Sequence, residues 1–178
     1  MGDFVKGVLP GGLPPEVAAG VRLHRLIDGF SETHPAFRQS RGRVSATRRR
    51  YAGVLVDMFY DHFLARCWDE FHERPLATFT AEQYALMAAA GTVLPERLRG
   101  ILPAMRADDW LASYRDAETI GYALDRMALR IRRDNPLPGA GEELLADYAG
   151  FEADFRAFLP DARAFARSHW QGAFSAGG

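Results

Sequence analysis

Leu23-His24-Arg25-Leu26-Ile27-Asp28, answered further along by Asp57-Met58-Phe59-Tyr60-Asp61-His62, decides how this chain is read. Both stretches set polar, metal-capable side chains inside apolar runs. His24 and Asp28 stand four residues apart, and so do Asp57 and Asp61. On an α-helix, residues at that spacing lie one turn above the other on a single face. Two helices that turned such pairs toward each other would hold a metal ion between them.

Outward from these stretches the pattern stays helical. Pro14 and Pro15 suit a helix start, and Val17, Val21, Leu23, His24, Ile27 and Asp28 recur at helical spacing from about Pro15 to Phe30. Pro35 biases His34 away from the α region and separates a short helical piece around Ala36 to Gln39. A long helix is predicted from about Ser45 to Glu73, ended by Pro75. Thr80 reads as an N-cap with Gln83 three residues on, opening a helix to about Val93. A further helix from Pro95 to Met105 is expected to be interrupted at Gly100 and Pro103, and another runs from Asp109 to about Arg133. The last spans Glu142 to Trp170 with a break or kink at Pro160, and residues 172–178 form a frayed tail. No alternating strand pattern, repeat or second domain stands out. The expectation is an all-α, single-domain helical bundle spanning residues 1–178.

The totals agree. A chain of 178 residues suits one domain with a sizeable core, and 48% apolar with 25% charged residues reads as globular. A net charge of −1 argues against a general nucleic-acid binder. Cys67 is the one cysteine, so no internal disulfide is possible, and its helical apolar context marks it as structural. Neither a signal peptide nor a run of about 18 apolar residues is visible, which makes the cytoplasm the expected location and a membrane an unexpected partner.

Asp28, Asp57 and Asp61 each follow apolar neighbours, which suggests buried carboxylates. Such groups are costly unless paired or metal-bound. Imidazole nitrogen with carboxylate oxygen suits Mn²⁺, Fe²⁺, Zn²⁺ or Mg²⁺. The lack of further cysteines argues against structural zinc, and the oxygen-rich set favours Mn²⁺ or Mg²⁺. Spacing alone leaves a second reading open: solvated faces, or buried ion pairs in which Arg25 or Arg48 partners Asp57 or Asp61. Arg41, Arg43, Arg48, Arg49 and Arg50 crowd into ten residues. Cations at a helix start oppose its dipole, so an anionic partner, phosphate or an acidic protein, stands beside the plain reading of a solvated helix start. His34 reads as a structural loop residue, and His72 and His169 as surface groups. Glycine-rich phosphate loops, GxSxG elbows and HExxH motifs are absent.

Taken in order, Gly2-Asp3-Phe4-Val5-Lys6-Gly7, Gly20-Val21-Arg22-Leu23-His24-Arg25-Leu26-Ile27-Asp28, Thr33-His34-Pro35, and Asp57-Met58-Phe59-Tyr60-Asp61-His62-Phe63-Leu64-Ala65 with Trp68 resemble the acyl carrier protein phosphodiesterase family. The resemblance implies a distorted HD-phosphohydrolase-like bundle. It implies hydrolysis of the phosphodiester between 4′-phosphopantetheine and a serine of holo acyl carrier protein, releasing the apo carrier. It also implies a divalent cation, usually manganese with magnesium or iron(II) as substitutes, and makes Asp3 a site residue. Family members usually carry a further N-terminal segment with a histidine-bearing helix ahead of this aspartate, so the expectation is a chain that lacks it and anchors Asp3 less firmly.

On this reading Asp3, His24, Asp28, Asp57, Asp61 and His62 supply the metal ligands, with Asp61 and His62 at the chemistry. Arg25 and Arg48 neutralise the non-bridging phosphoryl oxygens. Arg41, Arg43, Arg48, Arg49 and Arg50 dock the acidic carrier. Two rival readings remain: an HD-like phosphohydrolase acting on a small nucleotide or phosphodiester, and a non-catalytic helical module that binds acidic carrier proteins.

Overall fold

The computed structural model describes residue 7 and residues 12–175, with side chains as far as residue 170. Among the described residues every regular element is helical: α1 (Pro15–Thr33), α2 (Pro35–Arg43), α3 (Ala52–Arg66), α4 (Trp68–Phe71), α5 (Leu76–Ala90), α6 (Glu96–Ala107), α7 (Trp110–Ser113), α8 (Ala117–Ala128), α9 (Gly141–Ala146) and α10 (Tyr148–Ser175). Short 3-10 turns at Ala46–Tyr51 and Gly91–Val93 complete the set.

The main core forms around α3, because most of its circumference is apolar. Leu55, Val56, Phe59 and Phe63 are fully covered, and they meet Phe37 from α2, Ile120 and Leu124 from α8, Leu144 from α9, and Phe151 and Phe155 from α10. Rings fill this space edge to face, as in Phe59 on Phe151 with centroids 5.0 Å apart and Tyr60 on Phe155 at 5.5 Å. A smaller core of Tyr84, Leu94, Leu98 and Leu102 joins α5 to α6.

Several predicted boundaries move. The helix expected over Ser45–Glu73 divides into the 3-10 turn, α3 and α4. The one expected over Asp109–Arg133 divides at Tyr114–Asp116 into α7 and α8, and the last one divides at Asp147 into α9 and α10. Conversely, α6 runs through Pro103 and α10 through Pro160 without interruption. Both prolines are exposed, so water reaches the carbonyl that each leaves without a donor. Thr80 is not an N-cap. It sits inside α5, buried, and its hydroxyl donates to Asp109 Oδ2 at 2.9 Å. Asp109 is the cap instead: it adopts a left-handed conformation (φ 40°) and its Oδ1 accepts from Ala112 N at the start of α7.

His34 closes the α1–α2 corner. Its Nδ1 accepts from Ala36 N at 3.2 Å, its Nε2 meets Asp161 on α10 at 3.2 Å, and its ring packs edge-on against Phe158. Where α8 crosses α9, Gly121 and Gly141 touch backbone to backbone: a Cβ on Gly141 would lie 2.7 Å from the Gly121 Cα.

Candidate functional site

His24, Arg25 and Asp28 lie on α1, and Asp57 and Asp61 on α3. The expected one-turn geometry holds within α1, where His24 Nε2 stands 3.6 Å from Asp28 Oδ2. The expected burial does not. Asp28, Asp57 and Asp61 are exposed, and His24 and Arg25 are half-buried. Each of the five has a partner. The reason lies in the turn of α3: at about 100° per residue, Asp57 and Asp61 share a strip with exposed Val54, while Leu55, Phe59, His62 and Phe63 turn into the core.

Together the two pairs offer one imidazole and three carboxylates, donors that suit a hard divalent ion. Among the described residues, no three histidine, cysteine or acidic groups converge on one point. Asp3, expected in the same set, lies outside the described residues.

His62 departs from its expected role as a ligand. It is 1% exposed, and both ring nitrogens are held by the protein. Nδ1 donates to the Tyr114 carbonyl at 2.9 Å, and the Tyr148 hydroxyl donates to Nε2 at 2.8 Å. Burial pulls its pKa below the ordinary imidazole value, outweighing the Tyr114 hydrogen bond and adding to the push of Arg66. His62 therefore fastens α3 to α10 and to the α7–α8 connection as a neutral ring. The α3 periodicity, which puts it one turn beyond Phe59, was the signal for this.

The arginine segment is also turned inward. Arg48 does not face a phosphoryl site: Nε donates to the Pro136 carbonyl at 2.8 Å, Nη2 to the Pro138 carbonyl at 3.1 Å and Nη1 to Glu143 Oε1 at 3.0 Å. Glu143 is held below the usual carboxylate range. Burial pushes it up, but the hydroxyl and amide of Ser45 and the guanidinium of Arg48 outweigh that push. Arg43 donates to Asp154 Oδ2 at 2.7 Å and to Asp147 Oδ2 at 2.5 Å. Asp154, 4% exposed, accepts from Ser40 Oγ at 3.0 Å, and Ser40 meets the buried Tyr60 hydroxyl at 3.0 Å. Burial pushes the Tyr60 phenol up to about 12. Arg41 pairs with Glu32. Of the five arginines expected to dock a partner, Arg49 and Arg50 alone are exposed and make no ion pair among the described residues.

Two open regions mark the surface, the first of them against α3. A polar cleft of ≈ 420 Å³ is lined by Arg66, Arg115, Asp116 and Tyr148, with His62 behind it. It continues toward Cys67, whose thiol accepts from Arg156 Nη2 at 3.4 Å and is pushed up by burial, consistent with a structural rather than nucleophilic cysteine. On another side lies a groove of ≈ 370 Å³ between the end of α6, α7 and one face of α8, with Tyr114 in its wall. Burial first, and then the nearby Asp61 carboxylate, push the Tyr114 phenol up, while Arg130 acts in the opposite sense. Tyr114 belongs to the wall of this groove while its carbonyl is held by His62 of α3. The apolar spacing of this segment does not reveal the groove. Among the described residues no helix is long and apolar enough to cross a membrane.

Residues 1–162 match the family described as acyl carrier protein phosphodiesterase. The chain is 32% identical over 161 residues to the acyl carrier protein phosphodiesterase of Photorhabdus laumondii, covering 90% of this chain and 81% of that protein. It is 34% identical over 164 residues to the protein of that name in Escherichia coli O157:H7 (90% and 83% covered). To the one in Pectobacterium atrosepticum it is 30% identical over 161 residues (90% and 83% covered). No solved structure matches the chain.

Proposed function

Given that the chain belongs to the acyl carrier protein phosphodiesterase family, a family of phosphoric diester hydrolases, we propose that it cleaves 4′-phosphopantetheine from holo acyl carrier protein. The products are the apo carrier, with its serine hydroxyl restored, and free 4′-phosphopantetheine. The observation that carries this reading is the extent of the match: residues 1–162 include the α1 pair, the α3 pair and Asp3.

Asp3, His24, Asp28, Asp57 and Asp61 are the groups from which the ligands of a divalent ion would be drawn, manganese first because the family resemblance implies it. When bound, such an ion polarises phosphoryl oxygens and lowers the pKa of water. His62 is withdrawn from the ligand set and Arg48 from the chemistry, because both are fastened inside the fold. Arg25, half-buried on the same helix as His24 and Asp28, is the cation placed to neutralise a non-bridging oxygen as charge builds up in the transition state. His62 instead fixes the rotation of α3 and so holds Asp57 and Asp61 outward. The bundle, taken as one domain of distorted HD-phosphohydrolase type, supplies α1 and α3 as rigid carriers of the two pairs.

The test follows the mass of the carrier. Holo acyl carrier protein incubated with the purified chain and Mn²⁺ should lose the mass of its phosphopantetheine, and Asp61→Asn should slow this about 100-fold or more, the scale of losing one charge-stabilising group. An unchanged carrier mass at every Mn²⁺ concentration would rule the reading out. Cleavage of small nucleotides in its place would favour a small-molecule phosphohydrolase.

A further inference from the structure

The arginine segment that the sequence offers as a docking surface is mostly engaged internally, so an acidic partner needs another face. Helix α8 provides one. Its buried stripe, Ile120, Leu124 and Ala128, faces the core. A second stripe, Thr119, Tyr122, Ala123, Arg126 and Met127, runs along the groove at the spacing of one helical face, and Arg130 continues it from the turn just past the helix end. Arg126 and Arg130 are exposed and make no hydrogen bond or ion pair among the described residues. Tyr122 is 69% exposed, and Leu129 beside the stripe is 86% exposed.

The opposite wall is formed by Ala104, Trp110 and Tyr114 with a single acid, Asp108, which Trp110 Nε1 contacts at 3.5 Å. Exposed Arg106, Arg132 and Arg133 extend the positive charge at both ends. Aromatic and methionine surface flanked by unmatched arginines is the composition of protein interfaces rather than of solvated faces.

We propose that the acidic carrier protein docks on this α6–α8 face, setting carboxylates against Arg126 and Arg130 and an apolar side chain into the groove over Trp110 and Met127. The proposal rests on the carrier being the substrate. Charge complementarity selects this occupant over a second copy of the chain, which would bring like charge to like. The position serves the chemistry, since Tyr114 in the groove wall is tied through its carbonyl to His62 on α3, the helix that carries Asp57 and Asp61. A carrier seated there presents its modified serine toward the α3 carboxylates.

Labelled apo carrier, which keeps the protein surface and lacks the bond to be cut, gives the binding readout by fluorescence anisotropy. Cleavage of holo carrier is measured alongside. Arg126→Glu/Arg130→Glu should weaken binding at least about tenfold, and Tyr122→Ala should weaken it less. Charge reversal on α10, Arg163→Glu/Arg167→Glu, should leave binding within about twofold of wild type. Melting curves confirm that these exposed substitutions leave the fold intact. Binding should weaken as salt rises in the wild type and lose much of that dependence in the double variant. If wild type binds and cleaves but Arg126→Glu/Arg130→Glu binds equally well, the docking face is wrong and the function stands. The same holds if Arg49→Glu/Arg50→Glu is the pair that weakens binding. If wild type neither binds nor cleaves the carrier, both readings fall.

Discussion

Two groups of arginines in this chain look alike in sequence and differ in the fold. Arg43 and Arg48 each reach across the molecule to acids more than ninety residues away, Asp147, Asp154 and Glu143, and close the α2–α3 region against α9 and α10. Arg126 on α8 and Arg130 just past its end are solvated and make no ion pair among the described residues. The density of positive charge along the chain picks out a group of five in which Arg41, Arg43 and Arg48 are already paired inside the fold. A guanidinium that is already bonded is a structural clamp, and a partner recruits the ones left open. Charge counted in sequence does not distinguish them, because the acids that neutralise Arg43 and Arg48 are remote.

The sharpest way to break this contrast is to open a clamp. Asp154→Ala removes the buried carboxylate shared by Arg43 and Ser40, leaving both donors and the Tyr60 hydroxyl behind it poorly satisfied. It should cost about 3 kcal/mol of unfolding free energy, at the low end for breaking a buried pair, read from denaturant midpoints. A loss no larger than that of an exposed ion pair would place Arg43 among the surface charges.

A smaller effect is expected at Glu143. Its folded pKa is depressed, so its contribution is fully present above the ordinary carboxylate pKa of about 4.3 and is lost as pH falls through the folded value. Glu143→Gln should therefore be less stable than wild type by about 1 kcal/mol near neutrality, with the gap in melting temperature closing below about pH 4. A gap constant across that range would contradict the clamp.

The least change is expected from Arg126→Ala and Arg130→Ala, each within about 0.5 kcal/mol of wild type because both are exposed and neither makes a side-chain bond among the described residues. A larger loss would show that α8 uses these arginines for folding and would blur the distinction between the two groups.

The helical class was legible because apolar spacing, the Pro14–Pro15 start and the ordered motifs agree with one another. The family was legible from ordered motifs within the first 68 residues, among them those of α1 and α3. The exposure of the carboxylates was not read correctly. Asp57 lies between Val56 and Met58 and Asp61 follows Phe59-Tyr60, but on a helix adjacent residues point about 100° apart, so those neighbours enclose the core and not the aspartates. The same arithmetic places His62 with Leu55 and Phe59, inside. Prolines 103 and 160 misled for another reason: each is exposed, where the lost hydrogen bond is made good by solvent. The splits at Tyr114–Asp116 and Asp147 left no mark in the apolar spacing, because they are set by tertiary partners such as the His62 bond to the Tyr114 carbonyl and the Arg43 bond to Asp147.

The bare crossing of Gly121 and Gly141 fixes how the α8 face can behave. With no side chain between them, the two helices rest on main-chain atoms that cannot rotate aside or compress. Helix α8 is thus braced from behind, one residue before Tyr122, by the stiffest kind of contact a protein has. Its outward face is fixed rather than yielding, so a carrier docked there as proposed would do the accommodating.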